Sequence, residues 1–290
     1  MHDHLIRVLA KEDTIRVSVA STTALVTEIH HRQETDPTAT VAIGRLATAA
    51  ALMGSLLKDN QRVGIIVEGN GPLGKLHAEA DALGHVRASL QVPQAGLPPR
   101  NNRFDVAGAV GRAGFLQVIK DLGMKEPYRG MVQLVSSEIA EDLAYYFTTS
   151  EQTPSSVALG VELNQQAEVA AAGGFLVQML PGADEAAAET LSARLESLPP
   201  TTSLLRQGLP PQALVEQILG ETRYRILGTT ALSFHCGCSR QQILTVLRTL
   251  GAEALDQMIV AAEDTTVTCE YCQETYPVDR QTLQAVRASL

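Results

Sequence analysis

The chain has 290 residues, 45 % of them hydrophobic, and a formal net charge of -9. At ~100 to 200 residues per domain, that length holds one sizeable core and a smaller unit. The acidic balance argues against duplex nucleic acid or an anionic membrane as main partner, since both reward a positive surface. The segment Met1 to Arg7 has no basic stretch leading into an apolar one, so no signal peptide and a cytoplasmic location are expected.

From Leu5 to about Leu180 strand-like and helix-like stretches alternate. Ile15 to Ala20 and Leu73 to Glu79 alternate apolar and polar residues, Val63 to Glu68 reads as a strand, and Val86 to Val92 is β-prone. Thr22 to Gln33 and Thr38 to Leu57 read as helices, the second entered at Pro37. The second, the most apolar run in the chain, carries Arg45 and is read as a buried helix rather than a span across ~30 Å of hydrocarbon. Further strands are expected at Phe115 to Ile119, Met131 to Val135, Val157 to Leu163 and Gly174 to Leu180, with a helix from Glu138 to Thr148. Strands that follow one another without regular helical crossovers predict an α+β fold, with a mixed, antiparallel-rich sheet domain and packed helices over residues 1–182.

The character changes after Pro181-Gly182. Asp184 caps a helix to Leu198 with Leu191, Leu195 and Leu198 on one face, and Pro199-Pro200 stops it. Pro211 to Leu219 repeats the scheme with Leu214, Val215 and Ile218, closed by Gly220. Helices shorter than ~12 to 15 residues are marginal in water unless they pack on something. Residues 183–231 are therefore expected to form a helical linker whose order depends on its neighbours. Residues 232–290 read as a small α+β module. Ser239 caps a helix through Ile243 and Leu247, Gly251 breaks it, and a short helix runs from Glu253 to Val260. Thr266 to Cys269 and Glu274 to Val278 are strand-like, and Asp279 caps a last helix.

All four cysteines lie in this last module, as Cys236-Gly237-Cys238 and Cys269-Glu270-Tyr271-Cys272. Two close pairs joined by a compact insert supply the four soft ligands of a tetrahedral Zn²⁺ site. A unit this small buries too little apolar surface to fold unaided, so a bound metal contributes folding free energy, on the order of 10 kcal/mol. Two thiolates one residue apart can share a metal and can also close on each other when oxidised. The motif is thus compatible with a static staple or with a switch. His235, next to Cys236, is assigned at most a supporting role behind the four thiols.

Other motifs are weaker. Gly69-Asn70-Gly71-Pro72-Leu73-Gly74-Lys75 fits both a dinucleotide and a phosphate-loop pattern, but a strand-like stretch follows where either needs a helix, so the segment reads as a hairpin turn and no nucleotide is expected. Ser55-Leu56-Leu57-Lys58 matches S-x-x-K without its companion motifs. The pairs His2 with His4 and His30 with His31 read as solvated, because no adjacent carboxylate or cysteine group accompanies them.

The cysteine spacing at the end of an α+β domain and helical linker resembles the redox-regulated 33 kDa heat-shock chaperone family of bacteria. The stretches Glu68 to Gly74, Ser150 to Ser156 and Gly173 to Gly182 carry the same resemblance. It implies a protein that is not an enzyme but an ATP-independent holdase, with one Zn²⁺ held by Cys236, Cys238, Cys269 and Cys272 in the reduced form. It further implies that oxidation pairs Cys236 with Cys238 and Cys269 with Cys272, releases the ion, unfolds the module and destabilises the linker. The activated form is then expected to be a homodimer that holds unfolding client proteins. Two readings from other classes make distinct predictions. A static zinc module for nucleic acid or protein contact should keep its metal, and one for nucleic acid should be basic, yet residues 232–290 carry four arginines against seven acids, a net of -3. A thiol oxidoreductase should place Cys269 and Cys272 at a helix N-terminus.

Overall fold

A computed structural model describes residues 2–100, 103–261 and 265–290. The chain divides into two compact units, Met1–His235 and Cys236–Leu290. The first contains β1 (His4–Ala10), β2 (Ile15–Ser21), α1 (Thr23–Gln33), α2 (Pro37–Gly54), β3 (Arg62–Gly69), β4 (Lys75–Asp81), β5 (His85–Leu90), α3 (Val106–Val110), β6 (Gly114–Asp121), β7 (Tyr128–Gln133), α4 (Ala140–Thr149), β8 (Ser155–Leu163) and β9 (Val169–Met179). It continues through α5 (Glu185–Ser197), α6 (Thr201–Arg206), α7 (Pro211–Leu219), β10 (Tyr224–Ala231) and β11 (Ser233–Phe234). The second unit holds α8 (Arg240–Thr249), α9 (Gly251–Val260), β12 (Thr265–Thr268), β13 (Thr275–Val278) and α10 (Arg280–Ala288). No helix among the described residues is long and apolar enough to cross a membrane.

Two sheets build the first unit, a five-stranded one in the order β10-β1-β2-β9-β8 and a six-stranded one in the order β11-β5-β4-β3-β6-β7. Every pairing is antiparallel except β11 with β5, so the sheets are mixed and antiparallel-rich as expected. Helix α2 is the centre of the larger core. Asp36 caps it by accepting from the Ala39 N–H at 2.8 Å, and Pro37 opens it. Every residue from Thr38 to Gly54 except Arg45 is buried, which fits a helix that is apolar all round. Arg45 forms an ion pair with Glu138 through one guanidinium nitrogen. Leu46, Leu52 and Met53 meet Leu5 and Leu176 from one sheet and Ile65, Leu76 and Leu116 from the other. Gly44 lets the helix approach its neighbours closely, since a Cβ there would lie 2.6 Å from Val26 Cγ1 and 2.8 Å from Val161 Cγ2.

The other face of the five-stranded sheet presents Ile6, Val8, Val17, Val19, Phe175 and Val177, and α5 to α7 cover it with Ala187, Leu191, Leu204, Leu214, Val215 and Ile218. Leu195 and Leu198 pack against the same cluster, half-buried. The apolar stripes read from the sequence are therefore docked stripes. Asp184 caps α5 through the Ala187 N–H at 2.6 Å and also accepts from Lys11 Nζ at 2.7 Å, fixing the start of this layer to the β1–β2 turn.

One stretch differs from expectation. Residues 224–231, read as the end of the linker, form β10 and pair with β1 from His4↔Ala231 to Ala10↔Tyr224. The signal is weak because β10 is an edge strand whose Ile226 and Leu227 are exposed and which contains Gly228, so neither burial nor a clean apolar alternation marks it. The second compact unit accordingly starts at Cys236 rather than at residue 232.

Candidate metal centre

Each cysteine pair is presented by a local structure that its own sequence dictates. Cys236-Gly237-Cys238 precedes α8, whose first turn is closed by Ser239 accepting from the Gln242 N–H at 3.3 Å. Cys269 and Cys272 occupy the turn of the β12–β13 hairpin. There the Gln273 N–H donates to the Cys269 carbonyl at 3.0 Å and the Cys269 N–H to the Glu274 carbonyl at 2.9 Å. Gln273 takes the left-handed conformation, φ 60°, that the tight turn requires. The C-x-x-C segment therefore joins two strands, which removes the helix N-terminal setting that a thiol oxidoreductase of the expected kind would use.

The four sulfurs converge, all within 4.8 Å of one another. Cys236 Sγ lies 3.6 Å from Cys269 Sγ, and Cys238 Sγ lies 3.2 Å from Cys272 Sγ. Four sulfurs at ~2.3 Å from a tetrahedrally coordinated ion stand ~3.8 Å apart, so these separations suit such an ion. Cys269 and Cys272 are buried, Cys236 and Cys238 partly so, and all four are thiols rather than disulfides. Burial pushes the Cys272 thiol well up from its ordinary value, with its thiol neighbours acting in the same direction. Thiolates gathered this closely need a cation among them to share the space, and a soft divalent ion supplies that charge. The donor set is therefore able to take a metal ion.

The sequence reading missed Tyr276 on β13. Its Oη is 3.1 Å from Cys238 Sγ, and the contact with Cys238 is the largest cause of a phenol pKa raised from its ordinary value. An O–H donated to sulfur stabilises the thiolate and orients it. Only the alternation along β13 hints at this, by putting Tyr276 on the same strand face as the buried Val278. His235, next to Cys236, also contacts β5. Its N–H donates to the Val86 carbonyl at 3.0 Å, and its ring rests on His85 with centroids 4.6 Å apart.

The remaining motifs resolve structurally. The Gly69 to Gly74 segment is the β3–β4 turn, and a Cβ on Gly69 or Gly71 would fall 2.1 Å from the Val110 carbonyl oxygen or 2.3 Å from the Ala109 one. Those glycines permit close packing on α3 rather than on a phosphate. Ser55 is buried at the end of α2 with its hydroxyl donated to the Leu52 carbonyl at 2.6 Å.

Fold and site together define a two-unit α+β protein whose small C-terminal unit is built around a four-thiol centre. The family model described as Hsp33 protein matches residues 3–279. The chain is 54 % identical over 288 residues to the 33 kDa chaperonin of Syntrophotalea carbinolica, covering 99 % of this chain and 100 % of the relative. It is 46 % identical to that of Geobacter sulfurreducens, with 99 % and 96 % covered. The crystal structure of the 33 kDa chaperonin from Thermotoga maritima superposes with a TM-score of 0.91 at 32 % identity, covering 100 % of this chain and 99 % of that one. The chain belongs to the Hsp33 family, a family of chaperones rather than enzymes.

Proposed function

We propose that the chain is a redox-regulated, ATP-independent holdase of the cytoplasm, switched by Cys236, Cys238, Cys269 and Cys272. The observation that carries this reading is the convergence of four thiols in a unit whose buried apolar side chains, among the described residues, form one small cluster of Ile243, Leu247, Leu255, Val278, Leu283 and Val286. So small a core leaves folding dependent on coordination. Zn²⁺, when bound, would hold the four cysteines as thiolates and clamp the segment before α8 to the β12–β13 turn. Peroxide then oxidises Cys236 with Cys238 and Cys269 with Cys272. Each thiolate pair gives up two electrons to one peroxide, which takes two protons from solvent and leaves as two waters, and the sulfurs, now joined to each other, no longer serve as ligands. With the ion lost, the unit loses its main source of stability and unfolds.

The client surface in this reading is the apolar face of the five-stranded sheet together with the helices that cover it. Its occupants are unfolding proteins, and the active species is a homodimer. Undocking of α5 to α7 exposes Val17, Val19, Phe175 and Val177 on the sheet and Leu191, Leu214 and Ile218 on the helices. A contiguous apolar surface of that kind binds other apolar chains without regard to their sequence.

The test treats the reduced, zinc-loaded protein with hydrogen peroxide under mild unfolding stress. Released zinc, disulfide connectivity by mass mapping and suppression of aggregation of a denatured client are followed together. Zinc release without anti-aggregation activity overturns the chaperone reading, and full activity in the reduced protein overturns the switch. Disulfides joining Cys236 to Cys269 or Cys238 to Cys272 would overturn the pairing. Cys269→Ser is expected to abolish regulated activation.

A further inference from the structure

Outside the cysteine centre, a second group of metal-ligating side chains comes together among the described residues: His30, His31 and Glu168, whose donor atoms all lie within 4.8 Å of one another. The histidines are in the last turn of α1, and Glu168 stands 137 residues after His31, at the end of the β8–β9 connection. That separation is why the sequence shows a histidine pair with no carboxylate beside it. In the fold, His31 Nε2 is 3.0 Å from Glu168 Oε2.

The His30 ring and the turn that carries Glu168 are braced by their neighbours. His30 Nδ1 lies 3.0 Å from Thr35 Oγ1 and 2.9 Å from Thr40 Oγ1, both hydroxyls belonging to buried threonines. Thr40 donates its own hydroxyl proton to the Asp36 carbonyl at 2.8 Å, so toward His30 it acts as an acceptor. This favours the proton on Nδ1 and leaves the Nε2 lone pair for a ligand, the way ligating histidines are usually oriented. Burial lowers the His30 pKa from its ordinary value, which favours the neutral imidazole that coordinates. Glu168 sits on a tight, well-braced turn. Asn164 Oδ1 accepts from the Gln166 and Glu168 N–H groups at 2.9 and 3.0 Å, and the Asn164 N–H donates to the Glu168 carbonyl at 2.8 Å. Ala167 takes the left-handed conformation, φ 65°, that closes the turn.

We propose that His30, His31 and Glu168 bind a divalent transition-metal ion through two imidazole nitrogens and one carboxylate oxygen, with water completing the coordination. Two imidazoles and a carboxylate suit Zn²⁺, Ni²⁺ or Cu²⁺ and have little to offer Ca²⁺ or Mg²⁺. The site differs from the cysteine centre in chemistry as well as place. It contains no thiol, so an oxidant that converts the cysteines to disulfides leaves its donors unchanged. One chain would thereby carry a metal site that peroxide destroys and another that peroxide spares.

The experiment adds Ni²⁺ to the reduced, full-length chain already loaded with one equivalent of zinc and follows binding by calorimetry. A parallel titration with Co²⁺ reads the ligand type from its absorption. One further ion per chain is expected, without thiolate-to-cobalt charge transfer, and it should also bind after peroxide treatment. His31→Gln and Glu168→Gln, both at exposed side chains, should each weaken it at least about tenfold, since even an outer-sphere loss costs that much at many sites. A His2→Asn, His4→Asn double variant should bind unchanged. In the wild-type chain, substoichiometric Cu²⁺ should broaden the ring resonances of His30 and His31 selectively, a readout that needs no substitution. Absence of a further ion, its loss in the His2, His4 variant alone, or broadening confined to His2 and His4 overturns the proposal.

Discussion

The core around α2 and the core around the cysteines exclude water by different means. In the first unit an 18-residue helix is buried on every side but for Pro37 and Arg45, between two sheets that supply apolar side chains to both of its flanks. In the second, short helices and a two-stranded sheet gather around Leu247, Leu255 and Leu283, while Val246, Leu250 and Val260 remain exposed. The first unit can lose a side chain and keep its fold with a cavity. Under the proposed function the second concentrates its stability in four sulfurs, so that one chemical event acts on the whole unit. A switch needs that concentration, and a core that spreads its stability over many contacts cannot provide it.

The largest expected effect breaks the second unit alone. Chelation of the metal from the reduced chain should remove on the order of 10 kcal/mol from the C-terminal unit. Hydrogen exchange should then show loss of amide protection from Ile243 to Val286, with protection around Leu46 retained. Loss of protection in both units at once would mean that they do not fold separately. Next in size, Leu46→Ala empties a fully buried position and should lower first-unit stability by about 2 to 5 kcal/mol, measured by denaturant unfolding, with zinc affinity unchanged. Leu191→Ala, at the edge of the linker layer, should cost less, about 1 to 3 kcal/mol. Under the proposed function it should raise client binding by the reduced chain, and an unchanged reduced-state activity would separate linker stability from activation.

The smallest effect concerns acid. Lys11, then the Ala187 N–H, hold the Asp184 carboxyl below its ordinary pKa. A lowered folded-state value means that this contribution to stability is fully present above the ordinary aspartate pKa of about 3.9 and is lost as pH falls through the lower folded value. Proteolysis within α5 should therefore increase in that acidic window, and Asp184→Asn, which keeps the cap but not the charge, should flatten the dependence.

The elements that were legible in the sequence are those in which local signals and burial agree. Helix α2 combines Pro37 and an apolar run, α8 and α10 carry their caps at Ser239 and Asp279, and β12 and β13 flank the cysteine turn. Strand β10 lacked such agreement because it is an exposed edge, and α3 and α6 are too short to show a period. The four cysteines were legible because ligand type and spacing survive in one dimension. Tyr276 beside Cys238 and Glu168 beside His31 were not, since both depend on tertiary approach.

Strand β10 also sets what the linker can become. The helices α5 to α7 begin after β9 and end before β10, and both strands belong to the same five-stranded sheet. Undocked, the segment from Leu180 to Arg223 is a loop tied at both ends rather than a free tail. Because closure entropy grows only slowly with loop length, by about 0.6 kcal/mol per doubling, keeping so long a loop tied costs little more than keeping a short one. Under the proposed function its leucines are confined to a small volume above the surface they vacated, at high local concentration, and redock without a long-range search once the thiols are reduced.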